Sequence, residues 1–155
     1  MSLLNDNKKW FSKSKYGLFI HFGLYSILAG EYKGVKTNHN AEWIMNTLNI
    51  PVQEYEDLAK QFDPVNFSAD QIAADAKRWG MKYLVFTAKH HDGFAMYDSK
   101  CSEFSSVKCS PCHRDFVREL KEACDKYGLR FGLYYSQSQD WNDPDGFRYF
   151  TDNKE

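Results

Sequence analysis

The sequence predicts an α/β fold of about three βα units, arranged as in a TIM-like (β/α)8 barrel. Three observations predict it. Short apolar runs alternate with segments of helical periodicity, the pattern of parallel βα units. The first apolar run is followed by "HFGLYSILAG", which lacks the Gly-x-Gly-x-x-Gly turn of a doubly wound nucleotide-binding sheet. Finally, three successive runs end in polar rings: His21, then His90 and His91, then Tyr134 and Tyr135. A barrel gathers its functional groups at the C-terminal ends of its strands in this way.

The first strand is "GLFIHFG" (17–23), apolar and bounded by glycine. A polar, Gly-containing connection follows, through Glu42 and Trp43. "PVQEYEDLAKQF" (51–62) reads as a helix opened by Pro51, with Tyr55, Leu58, Ala59 and Phe62 at helical spacing. "SADQIAADAKRWG" (68–80) is a second helix, with Ser68 as N-cap, an apolar face of Ile72, Ala76 and Trp79, and Gly80 as its stop. "MKYLVFTAK" (81–89) is the second strand. "RDFVRELKEACDKYG" (114–128) is the clearest helix, with Phe116, Val117, Leu120, Ala123, Cys124 and Tyr127 on one face. Asp115 serves its N-terminus and Gly128 ends it. "LRFGLYYS" (129–136) is the third strand.

The 155 residues suffice for one domain with a sizeable core, and 43% hydrophobic with 26% charged residues is a soluble globular composition. A net charge of −1 makes no electrostatic case for nucleic acid or an anionic membrane. No run reaches the roughly 20 apolar residues of a membrane span, and "MSLLNDNKKWF" carries no signal-peptide core. Aromatic residues make up 17% of the chain, as expected of a protein that stacks rings on sugars and equally of one with a large core. Four cysteines occur, and "CSPCH" (109–113) matches both a haem-attachment pattern and half of a zinc site. A second Cys-x-x-Cys is missing. The plainer reading is a connecting loop with incidental thiols, or a Cys109–Cys112 disulfide in an oxidising compartment.

Adjacent residues on a strand point to opposite faces, so His90 and His91 meet one ligand only if the strand ends there. Asp92-Gly93 is the turn signal that would end it. A metal held by His90, His91 and Asp92 needs the same geometry and a further ligand, and ranks lower. Glu42-Trp43 offers a carboxylate beside a flat apolar face, the two features a sugar ring asks for. The competing reading is a short helix over "AEWIMNTL" with Trp43 in its buried face.

Five segments in order, "WFSKSKYGLFIHFGLYS" (10–26), "AEWIMN" (41–46), "FTAKHHDGFAMYDSK" (86–100), "RDFVRELKEACDKYGLRFGLYYS" (114–136) and "DW" (140–141), together resemble the N-terminal part of an α-L-fucosidase of glycoside hydrolase family 29. One departure is "IHFG", where many members place Trp after the His; Phe22 keeps an aromatic there. The resemblance implies a (β/α)8-like catalytic domain, usually followed by a β-sandwich. It implies hydrolysis of terminal α-L-fucosides with retention, through a covalent glycosyl-enzyme and with no metal or organic cofactor. His21, His90 and His91 match positions that bond fucose hydroxyls. Trp43 matches a ring contact, Glu42 an acidic site position, and one of Tyr134 and Tyr135 a sugar contact, with Tyr135 preferred as nearer the strand end. Members are often secreted, periplasmic or lysosomal.

A retaining glycosidase needs two carboxyl groups about 5–5.5 Å apart. The resemblance puts the nucleophilic Asp on a strand beyond Glu155. Asp140 and Asp143 are poor substitutes, and Glu42 is a candidate contributor to acid/base chemistry. Residues 1–155 are therefore expected to be a partial catalytic barrel with an open apolar edge, through which copies can self-associate. The expected partner is a fucosylated glycan or glycoside. The alternatives are an inactive fucose-binding remnant and a metal-dependent barrel hydrolase.

Overall fold

The computed structural model describes residues 3–147. Its elements run α1 (Leu3–Ser14), β1 (Leu18–Ile20), α2 (Tyr25–Leu28), β2 (Glu31–Tyr32), β3 (Val35–Lys36), a 3-10 turn (Ala41–Trp43) and α3 (Ile44–Thr47). Then come α4 (Val52–Asp57), a second 3-10 turn (Leu58–Gln61), α5 (Ala69–Arg78), β4 (Tyr83–Lys89), α6 (Phe116–Tyr127) and β5 (Arg130–Tyr135). The chain is an α/β protein whose main sheet is parallel, in the order β1-β4-β5.

Helix boundaries follow local chemistry. Ser68 accepts a hydrogen bond from the Gln71 amide and so caps α5. Asp115 accepts from the Arg118 amide and caps α6, while Gly128 (φ 65°) turns the chain out of that helix in a conformation costly to a residue with a Cβ. Both helices lie over one face of the sheet. Ala69, Ala73 and Ala76 of α5 and Phe116, Leu120, Ala123 and Cys124 of α6 are buried there with Leu84 and Phe86 of β4. Trp79 is not part of that face: it is 57% exposed under the Arg78 guanidinium, because α5 ends at Arg78 and Trp79 leaves the helical phase. Arg114 ties the loop before α5 to α6, donating to the carbonyls of Pro64 (3.1 Å) and Phe67 (2.9 Å) while paired with Glu119.

Three features were not legible in the apolar pattern. α1 closes the N-terminal end of the sheet, where Trp10 packs edge-on against Tyr83 and under Arg130. β2 and β3 form a small hairpin across Lys33-Gly34, both at positive φ. The segment 51–62 is not one helix, since α4 tightens into the second 3-10 turn after Asp57.

The register explains which residues face away from the helices. Phe19 pairs with Val85, Gly132 with Val85, and Tyr134 with Thr87, so Phe19, Val85, Thr87, Gly132 and Tyr134 share the face opposite Leu84 and Phe86. Between Thr87 and Lys89 the pairing with β5 shifts by one residue, a β-bulge at Ala88. Among the described residues β1 and β5 form the sheet's edges, and Phe19 and Leu133 are about half exposed there.

Phe86→Ala is expected to cost about 3–5 kcal/mol of stability, the usual range for emptying a fully buried ring position. Ser68→Ala, which removes a cap at the surface, is expected to cost about 1 kcal/mol. Urea unfolding of the two variants checks the order.

Candidate active site

The bulge decides what the C-terminal end of β4 presents. Strict alternation from Val85 and Thr87 would send Lys89 to the open face and His90 to the helices. The extra residue reverses this. Lys89 pairs with Tyr135, forms an ion pair with Asp140 and lies 5.0 Å from the Tyr135 ring centre. His90 instead meets the open face, with its ring 5.6 Å from His21 and 5.8 Å from Tyr134. The strand ends at Lys89, so His91 follows on the loop and its ring lies 4.2 Å from that of His90.

Of the two tyrosines, the structure brings Tyr134 into this cluster: it lies 6.3 Å from His21 and 6.4 Å from His91. Tyr135, expected from its place nearer the strand end, is not brought into the cluster. Tyr135 points to the other side of β5, is 48% exposed, and borders a cleft of about 470 Å³ with Lys89, Tyr97 and Asp140. Pairing with Thr87, rather than nearness to the strand end, sets which tyrosine shares the face of His90.

Trp43 ends the first 3-10 turn, and its ring stands 5.1 Å from His91 and 5.3 Å from Trp141. The segment is helical, as the competing reading expected, while Trp43 is only partly buried and lies beside His91. Glu42 is partly buried next to it, close enough for its charge to raise the affinity of His91 for a proton. Trp141, buried and 5.2 Å from His91, completes the aromatic wall. The "DW" pair was visible in the sequence, but only the fold places its indole in the site.

Behind the rings lies a layer of polar anchors. Thr87 accepts from the Phe22 amide and donates to the Phe22 carbonyl, both at 3.1 Å, pinning the loop that carries His21. The Tyr25 hydroxyl lies 3.4 Å from the Thr87 hydroxyl oxygen, and burial pushes its pKa well up, so it stays protonated. Asp92 is buried beneath the turn, where it accepts from the Tyr55 hydroxyl (2.8 Å) and the Phe94 amide (3.2 Å). Burial pushes its pKa up to about 6. Gly93 sits at φ 81°, and a Cβ there would lie 2.6 Å from an Asp140 carboxylate oxygen, so glycine is required on both counts.

This arrangement argues against the metal reading of His90, His91 and Asp92, because the Asp92 carboxylate is turned to Tyr55. Among the described residues no three His, Cys, Asp or Glu groups converge as a metal would need. The thiols are all free. Cys109 donates to the Ser105 carbonyl and Cys112 lies 3.0 Å from the Ser110 hydroxyl, so "CSPCH" is a loop closed on itself. No helix of the described residues is long and apolar enough to cross a membrane.

His90 is held neutral. Desolvation, followed by the charges of His91 and His21, lowers its pKa to about 3. His91 is lowered as well, mainly by burial. A neutral imidazole offers one donor and one acceptor, the pair of functions a sugar hydroxyl matches. The structure thus assembles His21, His90, His91 and Tyr134, walled by Trp43 and Trp141, at the C-terminal end of the sheet, and leaves Tyr135 outside.

Parallel βα units with a cluster of rings at the strand ends define an α/β protein of the kind whose functional groups gather at the C-terminal edge of the sheet. The chain belongs to the α-L-fucosidase family, whose model, described as "Alpha-L-fucosidase", matches residues 2–155. The α-L-fucosidase of Dictyostelium discoideum is 33% identical over 153 residues, 87% of this chain and 32% of that protein. Among solved structures, the α-L-fucosidase AlfC from Lactobacillus casei, in complex with its α-L-fucose product, is 56% identical with a TM-score of 0.89 over 92% of this chain and 44% of its own. An α-L-fucosidase from a Vibrio strain is 44% identical with a TM-score of 0.85 over 92% of this chain and 24% of its own. The chain thus spans about a third of the curated relative and under half of either structure.

The depressed pKa of His90 has a consequence for stability. The unfolded chain binds this proton near pH 6.5 and the folded chain only near pH 3, so His90 destabilises the fold as pH falls through that window. Asp92 acts with the opposite sign: its folded pKa of about 6 lies above the ordinary 3.8, so its contribution is lost as pH rises between them. His90→Gln is expected to flatten the loss of stability between neutrality and about pH 4. Denaturant melts of the variant and the parent protein across that range check the sign.

Proposed function

We propose that this chain is the fucose-holding part of a retaining α-L-fucosidase, and that β1, β4 and β5 are the first three strands of its (β/α)8 barrel. The observation that carries the reading is the convergence of His21, His90, His91 and Tyr134 on one open face beside Trp43. Imidazoles and a phenol satisfy hydroxyl groups in either direction, and an indole face covers the C–H surface of a pyranose. The 56% identity to AlfC, a protein solved with α-L-fucose, supports fucose as the sugar. A related enzyme from Bacteroides thetaiotaomicron, 36% identical, has been solved as a trapped covalent intermediate, which supports the retaining route.

Two carboxyl groups must flank the scissile bond. Of the acidic residues near the rings, Asp92 is committed to Tyr55 and Asp140 to Lys89. Glu42 remains as a contributor to acid/base chemistry, and the nucleophilic Asp is proposed to come from a strand after Glu155. The residues named here would then hold and orient the fucose ring, and the carboxylate from the later strand would attack its anomeric carbon. Fucosylated glycans are the proposed substrates; a point mutant of AlfC has been solved with Fucα(1,6)GlcNAc and with 4-nitrophenyl α-L-fucopyranoside.

The test is release of p-nitrophenol from p-nitrophenyl α-L-fucoside. In the full-length protein, His90→Ala is expected to lower kcat/KM by on the order of 1–3 kcal/mol of transition-state stabilisation, and an unchanged value removes His90 from the site. Residues 1–155 alone are expected to give no turnover, since groups that hold the sugar without attacking it favour ground state and transition state alike. Turnover by residues 1–155 that disappears in Glu42→Gln would show that a carboxylate within this chain performs the chemistry.

A further inference from the structure

We propose that Ser136 is a positioning residue that sets the tautomer of His91, so that His91 offers its Nε2 to the ligand as a hydrogen-bond acceptor. The argument is a count of hydrogens. The Ser136 hydroxyl lies 2.6 Å from the Gln139 carbonyl oxygen and 2.7 Å from His91 Nδ1. Two oxygens at 2.6 Å are held together only by a hydrogen between them, and a carbonyl has none to give. The one hydrogen of Ser136 is therefore spent on Gln139. What Ser136 has left for His91 is a lone pair, so Nδ1 must carry the proton of the neutral ring. Nε2, on the other edge of the imidazole, is then unprotonated and accepts.

The surrounding geometry holds this assignment in place. The Ser136 amide donates to the Lys89 carbonyl at 3.0 Å, and the Trp141 amide donates to the His91 carbonyl at 2.6 Å. The segment from Ser136 to Trp141 is thus tied at both ends to the residues flanking His90, and the serine cannot turn its hydroxyl without leaving the Gln139 carbonyl unpaired. Ser136 is only 4% exposed, so water does not compete for the contact. Given the fucoside reading, on which the identity of the ligand rests, the hydroxyl that meets His91 must act as donor. An analogue in which that hydroxyl is replaced by a methoxy group cannot donate, and would be refused there on electronic as well as steric grounds.

The experiment is a long-range proton–nitrogen correlation spectrum of the isotopically labelled full-length protein at neutral pH without ligand, which reports the protonated nitrogen of each histidine. The expected result is a proton on Nδ1 of His91 in the parent protein and in Ser136→Thr, which keeps the hydroxyl. Ser136→Ala is expected to move the proton to Nε2. A parent spectrum with the proton on Nε2 overturns the proposal, as does a folded Ser136→Ala that leaves it on Nδ1. Should Ser136→Ala fail to fold, the parent and Ser136→Thr spectra still decide. In the fucoside assay Ser136→Ala is expected to raise KM about tenfold, with less effect on kcat, and Ser136→Thr to restore it. A full-length protein with Nδ1 protonated and no fucosidase activity would sink the fucoside reading and leave the tautomer assignment standing.

Discussion

One extra residue in β4 organises the site. The bulge at Ala88 exchanges the faces that Lys89 and His90 would otherwise take. A lysine on the open face beside His21 would place a cation where the ligand ring should lie. Turned outward, it pairs with Asp140 and anchors the loop after β5. His90, turned inward, completes the imidazole cluster. A single change of register thus turns His90 to the open face and Lys89 to its ion pair with Asp140, next in the chain to Trp141.

The electrostatics follow from the same turn. Burial holds His90 neutral to about pH 3 and lowers His91, so neither of these two imidazoles carries a charge at neutral pH. Lys89 pairs with Asp140 and Asp92 accepts from Tyr55 beneath, which leaves Glu42 as the carboxylate beside His91. Neutral imidazoles rich in hydrogen-bonding capacity suit a neutral polyol. The same surface would be a poor host for a phosphate, which asks for guanidinium or ammonium groups.

The helices and the parallel strands were readable because their signals are local. Ser68, Asp115 and Gly128 act through a few backbone atoms, and the apolar face of α6 repeats at helical period. The strand ends were readable as chemistry, since imidazoles and phenols recur there. Their facing was not. The choice between Tyr134 and Tyr135 depends on pairing with Thr87, and the facing of His90 depends on a bulge that no residue type announces. Trp141 and Ser136 were likewise in plain view, as part of the segments "DW" and "YYS". Their roles arise from contacts with His91 across 45 or more positions of chain, which periodicity does not encode.

The site draws on two kinds of support. His90, His91, Ser136 and Trp141 belong to one hydrogen-bonded ring between the ends of β4 and β5, with Asp92 and Gly93 fixing the turn from below. Groups fixed in this way need little reordering when a ligand arrives, so most of their interaction free energy is available for binding. Trp43 and Glu42 come instead from a 3-10 turn in the long connection after β1, and Trp43 reaches His91 across a ring contact. Loops of that kind tolerate changes in length and composition that the ends of a paired strand do not. The strand-end groups are thus held by paired backbone, while the Glu42-Trp43 turn is the part of the cluster that can be reshaped without disturbing the histidines.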